Sequence, residues 1–126
     1  MTLSGGEQLN ELTERIIGHA YGVWNELGFG FLEKVYENAL VIALRSDGLA
    51  VEAQKPISVQ FRGQVVGDYI ADLLVEGEVL IELKSVKAIT DTHKAQCLNY
   101  MKATGLRTCL LMNFGQDGVQ IKRFRK

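Results

Sequence analysis

The sequence has few of the features that mark a secreted, membrane-bound or strongly basic protein. Its 126 residues include one proline and two cysteines, and the formal net charge is −1. No apolar run approaches the roughly 18 residues that a membrane-spanning helix needs, and residues 1–6 do not resemble a signal peptide. Because Cys97 and Cys109 have no CxxC spacing, we expect them to be reduced thiols in a cytoplasmic protein.

Length and charge set further bounds. The 126 residues and the hydrophobic fraction of 47% predict one globular domain over residues 1–126, with residues 1–6 flexible. The near-zero net charge argues against tight binding to long nucleic-acid duplexes, although a local basic surface could still steer such a ligand. The one dense basic stretch, residues 122–126, fits either a charged edge strand or a contact to nucleic acid.

Apolar residues recur at helical spacing in three segments. They predict helices over about residues 7–27, 32–46 and 92–103. Each is followed by a glycine that can end it, and Thr90 or Asp91 is suited to cap the third. The apolar stripe expected for the second helix is Leu32, Val35, Tyr36, Ala39, Leu40 and Ala43. The packing stripe expected for the third helix is Ala95, Leu98 and Met101.

Strand-like segments occupy much of the remaining chain. They lie at residues 51–54, 57–61, 65–75, 79–86, 108–112 and 119–124. Pro56 separates the first two, and Arg62-Gly63-Gln64 reads as a hairpin turn. The order of elements predicts the α/β class in its mixed α+β form, with a central mixed sheet flanked by helices.

Two of these strands bring an acidic pair together. If Val75 pairs with Val79 across a three-residue turn, Asp72 lies opposite Glu82. A two-residue turn would place Asp72 opposite Ile81 and bury one carboxylate against apolar neighbours. Because a one-residue slip moves every side chain to the other face, the polarity pattern favours the three-residue turn.

This acidic pair predicts a metal site. Opposed carboxylates repel each other, and Mg²⁺ is held by one or two carboxylates together with phosphate oxygens and water. Lys84 shares a strand face with Glu82, where it could stabilise a phosphate anion or orient an attacking water. These parts are typical of metal-assisted phosphodiester hydrolysis. A surface ion pair between Glu82 and Lys84 is the alternative, but an unpaired charge between Ile81 and Leu83 would be expensive to bury.

Other polar residues have two interpretations each. Glu33 either complements the dipole of the second helix or supplies a third carboxylate to the metal. Gln96 and Tyr100 share a helix face, where they either form a solvated pair or contact a phosphate or a base. His93 fits an exposed polar residue, a ligand or a base.

An ordered set of short motifs resembles a known family. Residues 30–36, Gly-Phe-Leu-Glu-Lys-Val-Tyr, resemble the signature of the GxxExxY proteins, a bacterial and archaeal family assigned to the PD-(D/E)XK nuclease superfamily. The resemblance runs from about residue 10 to the end of the chain. It continues through Ala71-Asp72-Leu73-Leu74-Val75, Ile81-Glu82-Leu83-Lys84, Gln96-x-x-x-Tyr100 and Ala103-Thr104-Gly105.

The resemblance implies a restriction-endonuclease-like core and a role for each matching residue. Asp72 and Glu82 would be the metal-binding carboxylates, Lys84 the catalytic amine and Glu33 the helix glutamate that completes the metal shell. Gln96 and Tyr100 would hold the nucleic-acid backbone. Ala71 stands where the superfamily name has proline, as in many relatives.

The leading hypothesis is therefore a Mg²⁺- or Mn²⁺-dependent nuclease that acts on DNA or RNA, as a monomer or a homodimer. One alternative is a nuclease-fold module that binds nucleic acid or protein without cutting. Another is a metal-dependent hydrolase of a smaller phosphate ester. The paired carboxylates favour cleavage over simple binding, because an anionic ligand would otherwise be repelled by them.

Overall fold

The computed structural model describes residues 5–126. Of residues 1–6, expected to be flexible, residues 1–4 lie outside the described residues, and Gly5 and Gly6 belong to the first helix. In chain order the elements are α1 (Gly5–Leu27), α2 (Glu33–Ser46), β1 (Val51–Phe61), β2 (Gln64–Val75), β3 (Val79–Lys84), α3 (Asp91–Thr104), β4 (Thr108–Gly115) and β5 (Gly118–Arg125).

The five strands form one mixed sheet in the order β1-β2-β3-β4-β5. Only the β3–β4 pair is parallel, and α3 makes the crossover that a parallel pair requires. One apolar cluster packs α1 and α2 against one face of the sheet, and a second packs α3 against the other. The predicted mixed α+β fold with a central sheet between helices is confirmed.

Three strands differ from the prediction by two residues or more. β1 runs without a break through Pro56, which pairs with Ile70. Proline is tolerated there because β1 is an edge strand and its outer side needs no backbone donor. β3 ends at Lys84 rather than at Val86, and β4 continues to Gly115 rather than ending at Met112.

Two predicted helix faces are wrong in part. On α2, Tyr36 and Leu40 are buried as expected, but Leu32 is 80% exposed and Glu37 takes a buried position. On α3, Ala95 and Leu98 are exposed, and the packing face consists of Cys97, Tyr100 and Met101. In both helices a polar side chain with its own hydrogen-bond partners replaces an apolar one, and hydrophobic periodicity does not register such an exchange.

Beyond the reach of β3, the first two strands form a two-stranded extension, which we call the β1–β2 arm (residues 55–70). The β2–β3 pairing includes only Leu73, Leu74 and Val75 of β2, whereas β1 and β2 stay paired to their common turn. Arg62 and Gly63 form that turn with φ values of 51° and 78°, as type I′ hairpins require.

Within residues 5–126, no helix combines the length and apolar character needed to cross a membrane.

Candidate active site

The turn between β2 and β3 sets the register of the site. Val75 pairs with Val79 and Leu73 with Ile81, so the predicted three-residue turn is confirmed. Glu76 at the turn accepts a 2.7 Å hydrogen bond from the Ala50 N–H and donates its own N–H to the Ala50 carbonyl at 2.8 Å. This anchor holds the hairpin in the register that carries Asp72 and Glu82 to adjacent positions.

At Asp72 and Glu82, side chains replace the backbone ladder between the two strands. The Asp72 N–H donates to Glu82 Oε1 at 3.0 Å, and the Leu83 N–H donates to Asp72 Oδ2 at 2.8 Å. Each carboxylate is therefore anchored to the backbone of the opposite strand. The exchange fixes both acidic groups at the point where β2 and β3 separate.

Burial makes this acidic pair unfavourable when both groups are charged. Glu82 is 2% exposed, and Asp72 is partly buried. Burial raises the pKa of Asp72 to about 6, against the lowering effect of the Leu83 N–H. Burial and the charge of Asp72 raise the pKa of Glu82 to about 8. Near neutral pH the metal-free site therefore holds a proton where a cation could bind.

Lys84 lies at the end of β3 on the same face as Glu82. Alternate residues of this strand divide between the two cores: Ile81 and Leu83 pack with α1 and α2, whereas Leu80 packs with α3. Glu82 and Lys84 thus face the α3 side. Among the described residues Lys84 forms no salt bridge, although its charge lowers the pKa of Asp72 and of Glu82.

The strands bend at Asp72. Ala53 pairs with Leu73 and Lys55 with Ala71, but Gln54 and Asp72 between them are left out of the pairing, and Gln54 has φ of 56°. Leu73 packs in the core of α1 and α2, yet Ala71, only two residues away, packs in the core of α3. Regular strand residues two apart share a face, so the chain must rotate at Asp72.

The Gly-x-x-Glu-x-x-Tyr segment places Glu33 at the edge of the site. Gly30 has φ of 113°, and Tyr36 closes the loop by donating its hydroxyl to the Gly28 carbonyl at 2.6 Å and accepting the Phe31 N–H at 3.3 Å. The Tyr36 ring is fully buried and stacks on Phe114 at 4.6 Å. Glu33 in the first turn of α2 is partly buried, which raises its pKa, and Lys84 opposes that rise.

Sequence reasoning missed Glu37, a buried carboxylate one helical turn after Glu33. It is 3% exposed, forms a salt bridge with Lys34, and accepts hydrogen bonds from Gln54 Nε2 at 2.9 Å and 3.1 Å. Its charge also raises the pKa of Asp72. Glu37 thus ties α2 to the bend of β1 opposite Asp72. The i, i+4 spacing from Glu33 was the available sequence signal.

The helix α3 brings Gln96 and Tyr100 to the same side of the sheet as Glu82. Gln96 Nε2 donates to the Tyr100 hydroxyl at 2.9 Å, and Tyr100 is 5% exposed. Burial raises the pKa of Tyr100, and the charges of Glu82 and Asp72 add to the rise. His93 instead caps α3: its Nδ1 accepts the Thr90 N–H at 3.1 Å, and Thr90 Oγ1 accepts the His93 N–H.

The donor set at Asp72 and Glu82 fits a hard divalent cation. Each carboxylate has one oxygen, Asp72 Oδ1 or Glu82 Oε2, that accepts no hydrogen bond from residues 5–126. Across the same residues, no three His, Cys, Asp or Glu side chains converge as ligands, so Glu33 does not join the pair in one group. Two carboxylates suffice for Mg²⁺ when water and phosphate oxygens complete its shell.

The chain also matches a known protein family. The model of the PD-(D/E)XK nuclease superfamily matches the chain over residues 10–124. The chain belongs to this superfamily. Nucleases of this superfamily generally use divalent metals, and relatives with the nuclease fold act on nucleic acid. No functionally curated protein matches the chain.

Solved structures resemble this PD-(D/E)XK chain. One, described as the crystal structure of SSO0001, has a TM-score of 0.61 at 16% identity. The aligned region covers 75% of this chain and 50% of the SSO0001 chain. The alkaline exonuclease LHK-Exo from Laribacter hongkongensis has a TM-score of 0.49 at 18% identity and covers 100% of this chain and 72% of its own. This chain thus spans half the length of the first. At 16% identity the similarity to the first shows the fold alone, and no argument is based on the second.

Proposed function

We propose that the chain is a Mg²⁺- or Mn²⁺-dependent nuclease of the GxxExxY group that hydrolyses phosphodiester bonds of DNA or RNA. The observation that carries the proposal is the buried Asp72–Glu82 pair, in which each carboxylate is anchored to the opposite strand. Lys84, without a salt bridge among the described residues, lies two positions further along β3. Membership in the superfamily supplies the reaction class.

Each residue has a distinct role in this proposal. Asp72 and Glu82 would hold the cation, and Glu33 would support it from α2. The bound cation would polarise the scissile phosphate and make water more acidic. Lys84 stabilises the negative charge that develops on the phosphate and orients the attacking water. Gln96 and Tyr100 hold the substrate backbone beyond the scissile bond.

Assignment to the GxxExxY group has structural support beyond the match of letters. Tyr36 bridges Gly28 and Phe31, and this bridge sets the path of the loop into α2. The left-handed φ of Gly30 favours glycine at that position. These contacts at Gly30 and Tyr36 support the assignment to the GxxExxY group and the proposed role of Glu33.

The test is cleavage of labelled single- and double-stranded DNA and RNA in Mg²⁺, in Mn²⁺ and in EDTA. Wild type should cleave at least one substrate only with metal, and Asp72→Asn and Glu82→Gln should each abolish cleavage. Glu78→Gln in the turn of the same hairpin is the matched control, since Glu78 is exposed and lies four residues from Glu82. Metal-independent cleavage, or equal cleavage by the Asp72 and Glu82 variants, would refute the proposal.

The alternative of a non-cleaving module has its own result in this assay. A protein that binds an oligonucleotide but cleaves none of the substrates would be such a module.

We also propose that residues 1–126 form one domain and that the protein acts as a monomer or a homodimer. Cys97 and Cys109 would be reduced thiols in a cytoplasmic protein. Sedimentation and thiol titration test the last two points.

A further inference from the structure

A long groove leads away from the proposed metal site. It has a volume of about 1420 Å³ and runs between the β1–β2 arm and α3, with Lys84 among its lining residues. Gln96 and Tyr100 line it from the helix, and Tyr69 and Phe61 line it from the arm. The groove therefore connects the position of the proposed chemistry with the tip of the arm.

The lining of this groove combines positive charge with exposed aromatic rings. Its charged residues are Lys84 and Lys102, and no Asp or Glu of the described chain lines it, although the protein has 15 acidic residues. Tyr69 is 53% exposed and Phe61 is 60% exposed. The Tyr69 ring lies 6.0 Å from that of Tyr100, and the Arg62 guanidinium lies 4.9 Å from the centre of the Phe61 ring.

From this lining we infer that the groove binds a single-stranded segment of nucleic acid, with bases stacked on Tyr69 and Phe61. The inference rests on the proposed nuclease site and specifies its substrate. The phosphates follow Lys102 and Lys84 toward the Asp72–Glu82 pair. Exposed rings along a cationic groove suit unpaired bases, each of which offers a face for stacking.

Two other occupants suit the groove less well. A duplex keeps its base faces stacked inside the helix, so Tyr69 and Phe61 would contact only its backbone or groove edges. A second copy of the chain would have to bury Lys84 and Lys102 of the groove lining, and no Asp or Glu of the lining would be there to pair with them. The single strand is the ligand that uses both the aromatic and the cationic residues of the lining.

The experiment measures fluorescence anisotropy with wild-type protein in EDTA, so that binding is separated from cleavage. The probes are labelled oligo(dT) and oligo(U) of about 12 nucleotides and a DNA duplex of the same length. We expect at least one single strand to bind more tightly than the duplex. Tyr69→Ala should weaken that binding by about 5-fold to 150-fold, the range for loss of one base-stacking contact.

Two variants serve as controls, and a third is a second test of the aromatic contacts. Tyr69→Phe keeps the ring and should restore the affinity that Tyr69→Ala loses. Tyr21→Ala removes a ring of comparable exposure from α1, which packs on the opposite face of the sheet, and it should also leave binding unchanged. Phe61→Ala, at the end of β1, should weaken binding independently of the Tyr69–Tyr100 contact, and it keeps the test valid if Tyr69→Ala is unstable.

The results separate this inference from the proposed function. Equal affinity for duplex and single strand, or binding unaffected by loss of both rings, overturns the single-strand inference even if cleavage occurs. If Tyr69→Ala and Phe61→Ala change the oligomeric state in sedimentation but not the affinity for the oligonucleotide, the single-strand inference is also overturned. The arm would then be a contact between two copies of the chain. Ring-dependent binding of a single strand without metal-dependent cleavage supports the groove and refutes the nuclease proposal.

Discussion

Asp72 and Glu82 each accept a hydrogen bond from the opposite strand, and an amide could accept the same bond. Asp72→Asn with Glu82→Gln therefore preserves the geometry of the hairpin while removing both charges. The natural carboxylates carry the cost of burial without a bound cation. In the proposed function, this cost at the scale of single residues accompanies the capacity to hold a metal.

The first prediction concerns pH. The pKa values of Asp72 and Glu82 are raised in the folded protein, so the metal-free native state binds more protons than the unfolded state between about pH 4 and pH 8. Its free energy of unfolding should consequently fall as pH rises through that interval. Relative to the Asp72→Asn, Glu82→Gln protein, we expect a loss of at least about 1 kcal/mol between about pH 5 and pH 8. Urea denaturation in EDTA measures it, and parallel pH profiles would contradict it.

The second prediction concerns Lys84. Lys84→Ala should leave Mn²⁺ binding nearly unchanged in calorimetry, since the carboxylates remain. Cleavage should fall by roughly two to three orders of magnitude, the scale for one charge-stabilising donor. Lys87→Ala in the following loop removes an exposed lysine and is the matched control. If Lys84→Ala cleaves as fast as wild type, Lys84 has no part in the mechanism.

The third prediction concerns Glu37, which binds Gln54 opposite the bend at Asp72. Glu37→Ala should lower the free energy of unfolding by about 1.5–3 kcal/mol, because the hydrogen bonds from Gln54 to a charged carboxylate are lost. It should also weaken Mn²⁺ binding, since the bend that orients Asp72 loses its support. Glu14→Ala on the exposed side of α1 should do neither. Calorimetry with unaltered Mn²⁺ affinity for Glu37→Ala would limit Glu37 to stabilising the fold.

At the scale of elements, the parallel β3–β4 pair determines what lies over the site. Because the chain must cross from the end of β3 to the start of β4, α3 is placed on one face of the sheet. Gln96 and Tyr100 project from this helix toward the face that carries Glu82 and Lys84. The crossover thus joins the proposed chemical site to its substrate contacts.

The fourth prediction follows from this placement. Gln96→Ala and Tyr100→Phe should weaken binding or cleavage of an oligonucleotide several-fold but leave hydrolysis of a minimal phosphodiester little changed. The two residues lie about one helical turn apart, a reach that suits a polymer backbone. Leu98→Ala on the exposed face of α3 is the control. Similar losses on both substrates would assign the pair to structure or to chemistry at the metal.

At the scale of the whole molecule, the site lies where strands β2 and β3 separate, between the two cores. The alternation of β2 side chains between the two cores changes phase at Asp72, and a cation bound there would join groups from both strands. Binding to the native state alone stabilises a protein by mass action. Metal binding should therefore increase the free energy of unfolding of the whole domain, and this increase reports the metal affinity.

The fifth prediction uses this linkage. Mn²⁺ at about 100 times its dissociation constant should raise the free energy of unfolding of wild type by about 2.7 kcal/mol. The Asp72→Asn, Glu82→Gln protein should show no such increase. Thermal denaturation with Mn²⁺ titrated into both proteins gives the comparison. An equal increase in both would place the metal elsewhere on the surface.

The sequence by itself determined the register of the β2–β3 hairpin and the ends of the helices. The register could be predicted because the alternation of polar and apolar residues excludes a one-residue slip. Gly105 adopts a left-handed φ of 75° after α3, as its position predicted. The continuous β1 could not be predicted, because Pro56 is tolerated only in an edge strand and the sequence does not show that β1 lies at an edge.

Only the tertiary structure decided the bend at Asp72, the burial of Glu37 and Tyr100, and the groove beside the arm. Each of these depends on contacts between segments far apart in the chain: Glu37 with Gln54, Tyr100 with the β1–β2 arm, and α3 with the sheet. Periodicity reports how one segment divides between water and core. It does not report which polar side chain will find a distant partner and enter the core with it, and at this site those partners position the carboxylates.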